Sequence, residues 1–127
     1  MNITGLPSPG SVSGYSLRIG TTTASTLSAF TTTGLTTVFG PTTVTPTSGW
    51  NTITFTTPFN WDGTSNIIVD IRGDGAYGSA NATTAFTTTT GNTCLFAFSF
   101  SSVGASYYTS SPTPSTSTSR PNIRFLS

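Results

Sequence analysis

The sequence predicts an all-β fold: a two-sheet antiparallel sandwich of jelly-roll type, with about eight or nine short strands. Three observations predict it. Apolar residues alternate with polar ones at period two in several segments, the pattern of strands with one face in a core. Eight prolines and thirteen glycines punctuate the chain at short intervals, which breaks helices and marks turns. Thr and Ser supply 30 and 19 of the 127 residues, and good helix formers are correspondingly scarce.

Each element follows from its own pattern. Tyr15, Leu17 and Ile19 alternate with Ser16 and Arg18. Ile53 and Phe55 alternate with Thr52, Thr54 and Thr56, Ile67, Val69 and Ile71 with Ile68, Asp70 and Arg72, and Ile123 and Phe125 flank Arg124. In residues 94–100, Cys94, Phe96, Phe98 and Phe100 share one face while Leu95 and Ala97 make the other apolar. That segment is expected to be a central strand covered on both sides. Weaker strands are expected near 35–39, 42–47, 83–88 and 105–109. Gly40-Pro41, Ser48-Gly49, Asp62-Gly63, Gly73-Asp74-Gly75 and Gly91-Asn92 are the turn signals between them. The whole of 1–127 reads as a single domain, with 1–13 as a lead or assembly segment. Residues 109–119 read as a Ser/Thr/Pro loop, mobile or O-glycosylated. Two similar stretches, at 28–34 and 84–91, are too few for a solenoid.

Charge limits the partners. Only Arg18, Asp62, Asp70, Arg72, Asp74, Arg120 and Arg124 are ionic, 6% of the chain, with no His, Lys or Glu. A typical domain has about 25%. Nucleic acid is not an expected partner, because phosphate binding needs clustered Lys and Arg. No apolar run reaches the roughly 18 residues of a membrane span, so no membrane insertion is expected. Near-neutrality removes the repulsion that keeps particles apart, so either glycans supply solubility or the chain lives in an assembly. Cys94 is the sole cysteine. It reads as a small buried hydrophobe, with an intermolecular bridge as the other reading. Met1 is followed by Asn-Ile-Thr without a charged and apolar leader, which leads us to expect a mature fragment.

Gly49-Trp50-Asn51-Thr52-Ile53-Thr54-Phe55, Thr57-Pro58-Phe59-Asn60-Trp61-Asp62-Gly63, Ser65-Asn66-Ile67-Ile68-Val69 and Arg120-Pro121-Asn122-Ile123-Arg124-Phe125 occur in that order. Together with Tyr15–Gly20 and the threonines after it, they resemble a jelly-roll-like β-sandwich module of large secreted and cell-surface proteins of Bacteroidetes-type bacteria. The likeness covers roughly residues 15–126. It implies export and a role in adhesion or surface architecture, and it supplies no catalytic residues. Such modules carry a further strand upstream, where here only a short Gly/Pro-rich lead precedes Tyr15. An open sheet edge, ready to take a neighbour's strand, is therefore expected.

Catalysis is not expected. General acid–base chemistry wants His, Glu or paired carboxylates, and a Ser nucleophile without His or Lys lacks a base. No cofactor is implied. Carbohydrate binding needs exposed aromatic faces beside amide or carboxylate partners. The candidates are Trp61 with Asn60 and Asp62, Tyr77 in a Gly-rich stretch, and the pair Tyr107-Tyr108. Packing at a core or corner is the alternative for Trp50, Phe59 and Trp61. Asp70 and Asp74 are weak calcium candidates, since Arg72 lies between them and Ca²⁺ wants six to eight oxygens. Arg72-Gly73-Asp74 also spells a tripeptide recognised by animal integrins, but it makes a good turn by itself. The Thr52, Thr54, Thr56 row reads as the polar face of a strand rather than an ice-binding face. Asn2-Ile3-Thr4 and Asn81-Ala82-Thr83 are formal glycosylation sequons. The leading expectation is an extracellular structural or adhesive module, a filament subunit or surface adhesin unit, whose partners are copies of itself or neighbouring modules. A carbohydrate-binding module that takes surface glycans is the second.

Overall fold

Period-two alternation from Tyr15 to Ile19 becomes the central strand of the best-packed sheet. In the computed structural model, which describes residues 1–8, 10–74, 81–99 and 112–126, ten strands form and no helix occurs among those residues. They are β1 (Asn2–Gly5), β2 (Val12–Thr22), β3 (Thr36–Val44), β4 (Gly49–Trp50) and β5 (Asn66–Asp74). Then follow β6 (Thr83–Thr84), β7 (Phe86–Thr88), β8 (Cys94–Phe96), β9 (Ser115–Ser117) and β10 (Ser119–Pro121). All pairings are antiparallel. The chain is all-β, as its composition predicts.

One sheet has the order β3-β2-β5. Leu17 lies opposite Phe39 and Ile71, and Ile19 opposite Val69, so apolar side chains gather on one face. Arg18 lies opposite Asp70 on the other. Leu17, Ile19 and Val38 are buried, with Tyr15, Phe39, Ile53, Phe55, Phe59 and Ile67 packed around them. Tyr15 and Phe39 meet edge to face, ring centres 6.4 Å apart. Burying Ile19 alone contributes about 1.5–3 kcal/mol.

The remaining strands form three small sheets, β4-β1-β6, β10-β7 and β8-β9, which single hydrogen bonds stitch together. The Ala85 amide donates to the Asn2 carbonyl, and the Asn122 amide to that of Ala85. The amides of Thr89 and Thr93 donate to the carbonyls of Thr118 and Ser117. The result is a second, irregular set of strands. Between it and the first sheet lies a crevice of about 400 Å³, lined by Leu17, Ile19 and Val69 on one side and by Trp50, Ile123 and Phe125 on the other. That arrangement is compatible with a two-sheet sandwich.

Several expected elements differ. Residues 51–56 are not a strand, although Ile53 and Phe55 do turn to the core. Their backbone makes isolated bonds, Asn51 to Met1 and Thr56 and Thr57 to Val38, and no ladder. Residues 94–99 are not a doubly covered central strand: among the described residues β8 pairs with β9 alone, and Phe96 and Phe98 are 46% and 66% exposed, while Phe100 lies outside the described residues. Gly40-Pro41 is not a turn between strands but a bulge inside β3. Tyr15 opposes Thr42 and Leu17 opposes Phe39, so two residues face Ser16. Of the Gly73-Asp74-Gly75 signal, Gly73 and Asp74 are the last residues of β5, and Gly75 lies outside the described residues. The closing strand ends at Pro121, before Ile123 and Phe125.

The lead 1–13 holds β1 and the start of β2. Within 109–119, Ser115–Ser117 and Ser119 belong to β9 and β10, where β-tolerant Ser and Thr run without proline. The strand expected at 105–109 lies outside the described residues.

Candidate functional site

The turn at Asn60–Ser65 is built by one carboxylate. Asp62 accepts from the amides of Thr64 and Ser65, at 2.9 and 2.8 Å, and from the Ser65 hydroxyl. Gly63 takes φ 78°, which a side chain would resist. The Ser65 hydroxyl, then the Thr64 and Ser65 amides, stabilise the ionised carboxyl and hold its pKa down to about 2. This Asx-type turn also fixes Trp61. The indole Nε1 donates to the Ser65 carbonyl at 2.8 Å, while the residue is 52% exposed. An exposed aromatic face with its edge pinned is a stacking platform. Asn60 sits beside it and is exposed. Tyr77, Tyr107 and Tyr108 lie outside the described residues.

The calcium candidates are not brought together as a site. The Asp70 carboxylate is ion-paired with both Arg18 and Arg72. Asp74 is four residues along the same strand, roughly 13 Å at the usual rise. Among the described residues no group of three or more His, Cys, Asp or Glu forms. Arg72-Gly73-Asp74 runs along a strand whose arginine turns back onto Asp70. The sequon residue Thr4 instead bonds the Thr83 hydroxyl across β1 and β6. Of the threonine row, Thr56 donates its hydroxyl to the Val38 carbonyl.

Trp50 is a feature the sequence does not connect to its partner. Its ring, on a residue 41% exposed, carries the Arg124 guanidinium carbon 3.9 Å above the ring centre, a cation–π contact. One face of this indole is therefore taken. Cys94 is half-buried, and burial pushes its thiol up, so at neutral pH it is a thiol rather than a nucleophilic thiolate.

No family model, curated protein or solved structure matches the chain.

The likeness to secreted β-sandwich modules thus rests on the residues quoted for it. The geometry has its own content. Besides the Trp61 platform, the described residues expose Leu6, Phe30, Ile71, Phe86, Phe96, Phe98, Ile123, Phe125 and Leu126. Among the described residues, the buried hydrophobics are Ile3, Leu17, Ile19 and Val38. These exposed residues lie on several strands and segments, and they are the second feature that residue-by-residue reading misses.

Proposed function

We propose that the chain is a non-catalytic, extracellular or cell-surface structural and adhesive module that assembles with copies of itself or with neighbouring modules. One observation carries this reading. The described residues leave Leu6, Phe30, Trp50, Trp61, Phe86, Phe96, Phe98 and Phe125 exposed, and apolar surface left open in this way marks a site of contact with another molecule. The exposed apolar residues supply the adhesive surface, and the near-absence of charge removes repulsion between subunits. The resemblance to cell-surface sandwich modules supports export.

Sedimentation velocity and negative-stain imaging across a concentration series test it. Growth into ordered filaments or defined oligomers is the expected outcome. A discrete monomer at the highest concentration would sink the reading.

A second reading rests on the pinned Trp61: a carbohydrate-binding module whose sugar ring stacks on that indole, with Asn60 beside it. Binding on a glycan array that disappears in Trp61→Ala, with the circular dichroism unchanged, favours it. Silence of the wild-type chain across the array removes it.

A further inference from the structure

The crevice between the first sheet and the second set of strands is open and apolar. Its volume, about 400 Å³, falls in the lower part of the roughly 300–1,000 Å³ typical of small-molecule sites. Leu17, Ile19 and Val69 form one wall, and Ile123 and Phe125 the other. Ile123 and Phe125 remain 36% and 51% exposed. Water therefore reaches the apolar lining, and filling the crevice releases it. Among the described residues one charged side chain lines it, Arg124, and no carboxylate side chain does. Each Asp of the chain is placed elsewhere: Asp62 in its turn, Asp70 between Arg18 and Arg72, and Asp74 at the end of β5. The Arg124 guanidinium lies 3.9 Å above the Trp50 ring. Among the described residues no hydrogen bond or ion pair engages it. Its N–H donors are available, on a side chain that the indole already holds.

We propose that this crevice binds a single-chain amphiphile with an anionic head, a fatty-acid carboxylate, with its chain between the two walls and its head on Arg124. Two features select that class. Both walls present apolar side chains, so the part of the ligand that lies between them is hydrocarbon. The cation on the wall has no ionic partner of its own, and a guanidinium takes a carboxylate through two parallel hydrogen bonds. A sugar would leave hydroxyls unpaired against Leu17, Ile19 and Val69, and a cationic amphiphile would meet Arg124 with like charge. The contact with Trp50 restrains Arg124 before binding, so less side-chain freedom is lost when the head docks. The crevice lies within one chain, so the proposal does not rest on the self-assembly reading. It is also separate from the Trp61 turn, which does not line the crevice.

Calorimetric titration with sodium hexanoate, octanoate and decanoate, each below its micelle concentration, reads the apolar part. Each added methylene should tighten binding about fourfold, and the curves should saturate. Decanol against decanoate reads the charge. The alcohol should bind about tenfold more weakly, and Arg124→Gln should remove that preference while the circular dichroism stays unchanged. On the unaltered chain, the methyl resonances of Leu17, Ile19 and Val69 should shift along the same saturable course. The arms on the unaltered chain stand even where the variant fails to fold. Uptake that never saturates, affinity independent of chain length, or unmoved methyls overturns the crevice as the site. Equal binding of acid and alcohol by the unaltered chain overturns the anionic head, as does a folded Arg124→Gln that keeps the full preference. Saturable, length-dependent binding with a preference for the acid upholds the proposal, whether or not the chain assembles.

Discussion

Asp62 shows how one side chain builds a local structure and gives it a pH dependence. Three donors from Thr64 and Ser65 converge on its carboxylate, and its pKa falls from 3.8 to about 2. The folded-state value is the lower one, so the turn's contribution is complete above pH 3.8 and is lost as pH falls through about 2. The carboxylate is fully exposed, so the effect is local rather than global. The Trp61 indole proton, bonded to the Ser65 carbonyl, reports it. Its NMR resonance should shift with a midpoint near 2, and Asp62→Asn should abolish that titration. A midpoint near 4 would show that the turn does not hold the carboxylate. The turn was legible in Asp62-Gly63. The pinning of Trp61 was not, because a bond from an indole to a carbonyl four residues on leaves no mark in residue type.

Strands β2 and β5 were legible because their alternation is also a pairing pattern, in register with each other over Ser16–Thr22 and Asn66–Arg72. Residues 51–56 alternate equally well, yet no strand forms, because alternation reports burial and a ladder needs a partner edge. β1 went unread for the opposite reason: Asn-Ile-Thr-Gly is too short to show a period, and its partners lie about 45 and 80 residues away. The bulge in β3 hides inside a turn signal. Gly40 takes φ 77°, and an added Cβ would run into the Tyr15 carbonyl oxygen of the paired strand. Gly34 takes φ 71° with nothing near its added Cβ. Gly34→Ala should therefore cost only backbone strain, about 1 kcal/mol, whereas Gly40→Ala adds a collision in the sheet and should cost about 3 kcal/mol or more. Urea midpoints at constant m-value measure both. Equal losses would mean that β3 relaxes freely at the bulge.

The candidate assembly surface belongs to the whole molecule, which is why residue motifs do not show it. It follows from how little apolar surface the strands manage to cover, and from a charge content of 6%. These two properties also fix how the assembly should respond to solution conditions. Exposed ion pairs contribute little and are screened by salt, whereas apolar burial is strengthened by sulfate, which is excluded from protein surfaces. With no His, Lys or Glu in the chain, almost nothing titrates between about pH 5 and 9. Asp62 titrates near 2, and burial moves the Cys94 thiol upward from 9.0. The N-terminal amine, drawn down from 8.0 by burial, is the exception. The assembly threshold read by light scattering should therefore stay within about twofold from roughly 50 to 500 mM NaCl, and nearly level across pH 5 to 9. It should fall severalfold in ammonium sulfate. A threshold that rises steeply with NaCl would assign the contact to ion pairs. The apolar surface of Ile71, Phe96, Phe98 and Phe125 would then have to be covered by something other than a second copy.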